Sequence, residues 1–288
     1  MIYLLLSVSA STLLFVIFKL FNRYKIDTLQ AIVINYITAC ITGLLNYDDH
    51  INIPSIISSK WFYGALALGF LFISVFNLMA LTSQRNGLSV ASVASKMSVI
   101  IPVIFSIYAY NEGIGIQKIT GIVIALVAVF LTSVKPNQKI EGLKNNLIFP
   151  FLLFFGSGVI DTSIKYIETT YVPKNGIPIF SATIFSFAAT IGIIILSIQA
   201  TKNQFKFHFK NVIGGVILGV VNYYSIYYLL KALQFEGFES STLFTINNVA
   251  IVMLSTLLGL VLFKERIIKI NWIGISLAII SIIMVTLA

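Results

Sequence analysis

The sequence predicts an all-α integral membrane protein of ten transmembrane helices, arranged as two inverted five-helix repeats. Three observations predict it. Ten apolar stretches, each near the ~20 residues needed to cross ~30 Å of hydrocarbon, fill almost all of the 288 residues. The composition, 58% hydrophobic and 10% charged with a mean hydropathy of +0.97, leaves too little polar surface to cover a soluble core. The two halves also resemble each other, and five helices per half is an odd number, so the second copy enters the membrane from the opposite side.

The elements follow in order. The first, 1–21, opens on Met1-Ile2-Tyr3 with no basic n-region, so it is expected to stay as a helix rather than be cleaved, and Lys19, Arg23 and Lys25 close it. The second, 27–45, carries Asn35, Thr38 and Thr42 on one face, and the third, 61–84, carries Asn77. The fourth, 88–109, holds Ser89, Ser92 and Lys96 at i, i+3, i+7, then Pro102. The fifth is 116–134. The sixth, 146–167, is the weakest as a lipid-facing span: Pro150, Gly156 and Gly158 interrupt it, and Asp161, Lys165 and Glu168 polarise its second half. The seventh, 177–199, presents Thr183, Ser186, Thr190 and Ser197. The eighth, 211–233, sets Gly215, Gly219 and Asn222 against Tyr223, Tyr224, Tyr227 and Tyr228. The ninth, 240–263, holds Asn247 and Asn248; the tenth is 270–287.

Charge sets the expected orientation. Of 19 Lys and Arg, 13 fall in odd-numbered connections, 5 in even-numbered ones, and Lys96 lies inside a helix. Odd connections are therefore expected in the cytoplasm, with both termini outside, in a cytoplasmic (inner) membrane. The net charge of +9 sits in pairs and triplets at helix ends, which suits anionic headgroups of the lipid bilayer and not nucleic acid. Cys40 is the single cysteine and sits in an apolar helix, where packing is its expected role.

The repeat is carried by ordered matches. Ser11 and Lys19 match Ser157 and Lys165 at an offset of 146; Gly87 matches Gly237 at 150. Glu112-x-Ile114 with Gly121, Ile122 and Ala125 matches Glu265-x-Ile267 with Gly274, Ile275 and Ala278 at 153. The offset drifts in one direction, as small loop insertions would make it. The halves are 1–138 and 139–288.

On these residues the whole chain resembles the drug/metabolite transporter superfamily and, within it, the EamA-like family: a lysine ends the first helix of each half, and a glutamate stands nine residues before a glycine at the fifth. The chain differs in its glycine-rich loop Asn111-Glu112-Gly113-Ile114-Gly115 and in a first helix without tryptophan. The resemblance implies a secondary transporter of small metabolites, by export, with a central cavity between the halves. It supplies no substrate-binding residue.

Read by themselves, several side chains are candidates for substrate contact: Lys96, Ser92, Asn35, Asn77, Tyr223, Tyr224, Asn247 and Asn248. Lys96 lies ~12 Å into its helix, where an ammonium costs a few kcal/mol unless it faces a cavity or a partner. It can anchor a carboxylate or phosphate, exchange a proton, or make a structural ion pair with Asp161 or a backbone carbonyl. Asn247 and Asn248 can bind a solute or act as interhelical glue. Tyr223 and Tyr224 offer stacking surfaces; Tyr227 and Tyr228 suit the interfacial belt. The hydroxyls of helices two and seven are expected to bond their own backbones. Asp161 is a candidate proton-coupling carboxylate or a simple partner of Lys165, and Pro102 a gating hinge or a packing kink.

The sequence carries almost no catalytic or cofactor signature. His50 and His208 lie in different connections, no metal-ligand spacing appears, and no GxxxxGK[ST] loop exists, so no cofactor is expected and ATP-driven pumping by this chain alone is excluded. The expected partners are a small-molecule substrate, lipid and protons as candidate coupling ion, with the chain a monomer or homodimer. Two other classes stay open: a membrane scaffold or lipid-binding protein, which predicts a dry interior with Lys96 ion-paired, and a membrane enzyme, which needs reactive groups gathered at one depth.

Overall fold

A computed structural model of the protein describes residues 2–46, 52–102, 104–105, 115–133, 140–173, 176–202, 207–233 and 240–286. Among the described residues every regular element is helical: α1 (Ile2–Arg23), α2 (Thr28–Leu45), α3 (Ile53–Ile57), α4 (Phe62–Arg85), α5 (Leu88–Met97), α6 (Ile116–Ser133), α7 (Ile140–Tyr171), α8 (Ile177–Thr201), α9 (Phe209–Leu233), α10 (Ser240–Phe263) and α11 (Lys269–Thr286). Each of the ten stretches read from the sequence carries a helix. Seven helices are long and apolar enough to cross a membrane, and three shorter apolar ones cover Leu88–Pro102, Ile119–Thr132 and Lys269–Met284. The described part of the chain is thus all-helical, with the long apolar helices of a membrane protein. Glu112, Gly237 and His50 lie outside the described residues.

Local chemistry sets the ends. Asp27 accepts the Gln30 N–H at 3.0 Å as N-cap of α2, Asn52 caps the short α3, and a proline stands in the first turn of α8. Two elements depart from expectation. The sixth stretch, expected over 146–167 and to be the weakest as a lipid-facing span, lies in a longer helix of 32 residues that runs through Pro150; losing one backbone hydrogen bond there does not end it. The fourth stretch, expected to run 88–109, breaks after Met97. Pro102 has no N–H for the Ser98 carbonyl four residues back, and that carbonyl instead accepts from Ile101 N at 2.9 Å in a tighter turn.

Two compact units each draw on both sequence halves. The first comprises Met1–Leu20, Leu78–Val159 and Tyr224–Ala288; the second comprises Phe21–Asn77 and Ile160–Tyr223.

In the first unit α6 and α11 pack antiparallel. Ser281 Oγ donates to the Gly121 carbonyl at 2.7 Å at one end, and Asn271 Nδ2 reaches the Leu131 and Thr132 carbonyls at the other. Between them lies an apolar core that includes Val93, Met97, Ala125, Phe154, Val252 and Ala278, all buried. On α10, Met253, Leu257 and Val261 form an exposed stripe at i, i+4, i+8, while Val252, Ser255 and Thr256 are buried. Apolar side chains turned outward along a whole helix suit hydrocarbon as solvent.

In the second unit α2 packs against α8 and α9. Tyr36 is fully buried, donates to the Phe72 carbonyl at 2.8 Å and meets the rings of Phe72, Phe76 and Phe185. Gly219 lets α9 lie against α2: a Cβ there would stand 2.7 Å from the Asn35 carbonyl oxygen. Such close backbone approach is how membrane helices gain contact when lipid supplies no hydrophobic drive. Polar side chains complete the seam, with Asn222 donating to Asn35 Oδ1 at 3.2 Å and Asn211 to Gln30 Oε1 at 2.8 Å. As expected, Thr42, Thr183, Thr190 and Ser197 bond carbonyls of their own helices.

Candidate functional site: a polar seam between two helices

The site is built in the first unit, where α5 meets α10. The Gly87 N-cap of α5 has φ +110 and no side chain with which to cap the helix. The acceptor comes from 177 residues away. Helix α10 ends with Lys264 in the left-handed region (φ 50), and the Glu265 N–H bonds back to the Gly259 carbonyl at 3.0 Å. That turn swings the Glu265 carboxylate onto the start of α5, where Leu88 N–H is shared between Oε1 at 2.9 Å and Oε2 at 3.1 Å. Lys19 on α1 pairs with the same carboxylate at 3.2 Å. Two glycines make the room, since a Cβ at Gly87 would lie 2.8 Å, and one at Gly259 2.7 Å, from Glu265 Oε2.

One turn further, Ser255 Oγ lies 2.6 Å from Ser92 Oγ, both fully buried, and Ser92 in turn donates to the Ser89 carbonyl. From Leu88 to Ser92 the partners on α10 fall from Gly259 to Ser255, so the helices run antiparallel. The next position on the same face is Lys96, half-buried, which this register sets beside Ile251. Asn247 and Asn248 come one turn later. Both are buried, and the Asn247 Oδ1 accepts no hydrogen bond although the residue is only 1% exposed. An acceptor in that condition costs about 1–3 kcal/mol.

Ser92 is on this seam by direct contact, and the same register carried along the two helices puts Lys96 on the α5 side and Asn247 and Asn248 on the α10 side. Asn35 is fully buried in the second unit, accepting from Asn222, with its own amide 3.5 Å from the Ile32 carbonyl. Asn77, half-buried in that unit, donates to the Ile73 carbonyl at 2.7 Å. Tyr223 stands near Gly43 of α2. Tyr224 belongs to the first unit, stacked on Tyr228 at 5.4 Å and edge-on to Tyr227, whose ring has Lys231 5.8 Å above it. Asp161 is exposed on α7. Pro102 marks the kink described above. Ser255 escaped the sequence reading because a lone serine in an apolar run carries no signal of its partner. Glu265 and Lys19 were visible as repeat markers, but not as a pair. Among the described residues no group of three His, Cys, Asp or Glu could hold a metal ion.

No protein-family model matches the chain. It is 30% identical over 285 residues to an uncharacterized protein of Haemophilus influenzae, covering 94% of this chain and 93% of that protein. The chain belongs to that protein's family. A protein of known crystal structure shares the fold, with a TM-score of 0.56 at 16% identity, over 99% of this chain and 97% of the other. The family of the Haemophilus influenzae protein therefore spans the full set of helices and is not confined to one half.

Proposed function

We propose that the chain is a secondary carrier of the drug/metabolite transporter type, EamA-like, moving a small anionic or zwitterionic metabolite such as an amino or organic acid out of the cell by alternating access. The residue that carries this reading is Lys96, a half-buried ammonium ~12 Å along an apolar helix that packs against the helix holding the buried Asn247 and Asn248. A cation beside neutral amides suits a carboxylate-bearing solute better than a cationic one.

The inverted ten-helix arrangement belongs to the same reading, and the α6–α11 pair supports it. The repeat equates Ala125 with Ala278, and the bonds from Gly121 to Ser281 and from Leu131 to Asn271 centre the crossing near those two alanines, both fully buried. Antiparallel helices that meet at self-equivalent points are what a two-fold axis in the membrane plane produces.

The test is uptake of labelled amino and organic acids into proteoliposomes, with and without a pH gradient. Wild-type protein should accumulate at least one, and Lys96→Ala and Lys96→Arg should both lose it at unchanged expression. Wild-type uptake by Lys96→Ala would end the proposal. A pH-gradient requirement identifies protons as the coupling ion.

A further inference from the structure

Leu88, Ser92 and Lys96 stand at i, i+4, i+8 on α5 and make a ladder facing α10. The first rung is tied by Glu265, which receives the backbone N–H of Leu88, and the second by Ser255, 2.6 Å from Ser92. The third rung is Lys96. We propose that Glu265 and Ser255 are positioning residues for Lys96: they hold α5 in one register and rotation against α10, and so set where the ammonium is presented.

The argument is geometric. A ten-residue helix is a rod of about 15 Å, and two ties one turn apart remove its freedom to slide and to roll. Neither tie touches Lys96. The cap is built with some care: Gly87, Gly259 and the turn at Lys264 each serve to bring one carboxylate to one N–H, and Lys19 holds that carboxylate from the far side. A helix needing only an N-cap gets one from a Ser or Asp at its own start, as α2 does from Asp27. Here the acceptor is borrowed from the end of the very helix against which Lys96 must be registered. The purpose assigned to Lys96 rests on the carrier reading; its placement by these two ties does not.

The experiment uses the full-length protein in liposomes, with Cys40→Ala removing the native thiol and Lys96→Cys as reporter. The probe is 2-sulfonatoethyl methanethiosulfonate, and the readout is its reaction rate at position 96. Glu265→Ala and Ser255→Ala should each change that rate by about tenfold, the scale of one lost buried hydrogen bond. Glu265→Gln, whose side-chain oxygen still accepts from Leu88, should bring it back to within about twofold. A role in stability alone would lower the melting temperature and leave the rate of the folded fraction unmoved. The proposal is overturned by an unchanged rate in both alanine variants, including one too slow to detect throughout, or by Glu265→Gln behaving as Glu265→Ala. Should Glu265→Ala fail to fold, Ser255→Ala decides alone. Solute uptake is not the readout, so loss of the carrier reading and loss of this one are separate results.

Discussion

Asn271 Nδ2 donates to two carbonyls at the end of α6, Leu131 O at 2.9 Å and Thr132 O at 3.1 Å, while its Oδ1 accepts from Ile268 N at 3.2 Å. One buried amide thus closes the last turn of α6 and the entry to α11.

Replacing it should show which of its groups matters. Asn271→Ala is expected to lower stability by about 1–2 kcal/mol through the carbonyls it leaves unpaired. Asn271→Asp should be worse, because a carboxylate donates nothing and faces two carbonyl oxygens. Thermal melting in detergent checks the order; an aspartate variant as stable as wild type would refute it.

Close approach of α9 to α2 makes a second prediction. A Cβ at Gly219 would meet Thr38 Cβ at 2.6 Å and the Asn35 carbonyl at 2.7 Å, so Gly219→Ala should cost about 1–3 kcal/mol. Gly115 has nothing within 4 Å of that position, and Gly115→Ala should stay within about 0.5 kcal/mol of wild type. Similar melting temperatures for the two variants would mean that the helices adjust freely.

The Asn35–Asn222 bond is accessible to a double-mutant cycle with leucine at each position. Interhelical hydrogen bonds in membranes average about 0.6 kcal/mol and reach about 1.7. This one, at 3.2 Å between two residues each no more than 3% exposed, is expected in the upper part of that range. Additive single effects would remove it as a stabilising pair.

The charge bias is testable without any solute. With odd-numbered connections inside, alkaline phosphatase fused to the C-terminus should be active and a fluorescent-protein fusion there dark, and the reverse should hold for fusions near Lys202. A bright C-terminal fusion would invert the orientation.

What the sequence made legible follows from the range of each interaction. Helix positions depend on run length and on caps a few residues away, so a helix in each of the ten stretches could be read; the glycines Gly215 and Gly219 announced a close packing face because their spacing is local. The hydroxyls of Thr183, Thr190 and Ser197 on α8 were readable for the same reason, since each of the three bonds a carbonyl one turn back in its own helix. Partners across the fold were not. Nothing near Ser92 points to Ser255, 163 residues on, and nothing near Leu88 points to Glu265. Asn35 reads from its helix face as a group open to solvent, and only the tertiary contact with Asn222 shows its amide spent between helices.

The break after Met97 has an electrical consequence. Peptide dipoles in α5 add up to a partial negative charge at its C-terminal end. Had the helix run on as its composition suggests, that end would lie at the far interface, where water and salt quench it. A turn at Ser98 and Val99 interrupts it about 15 Å in instead, one residue past Lys96, and helix resumes at Ile100. The negative end of α5 therefore falls at this turn and not at a membrane surface, and the one ammonium on the helix is stationed beside it.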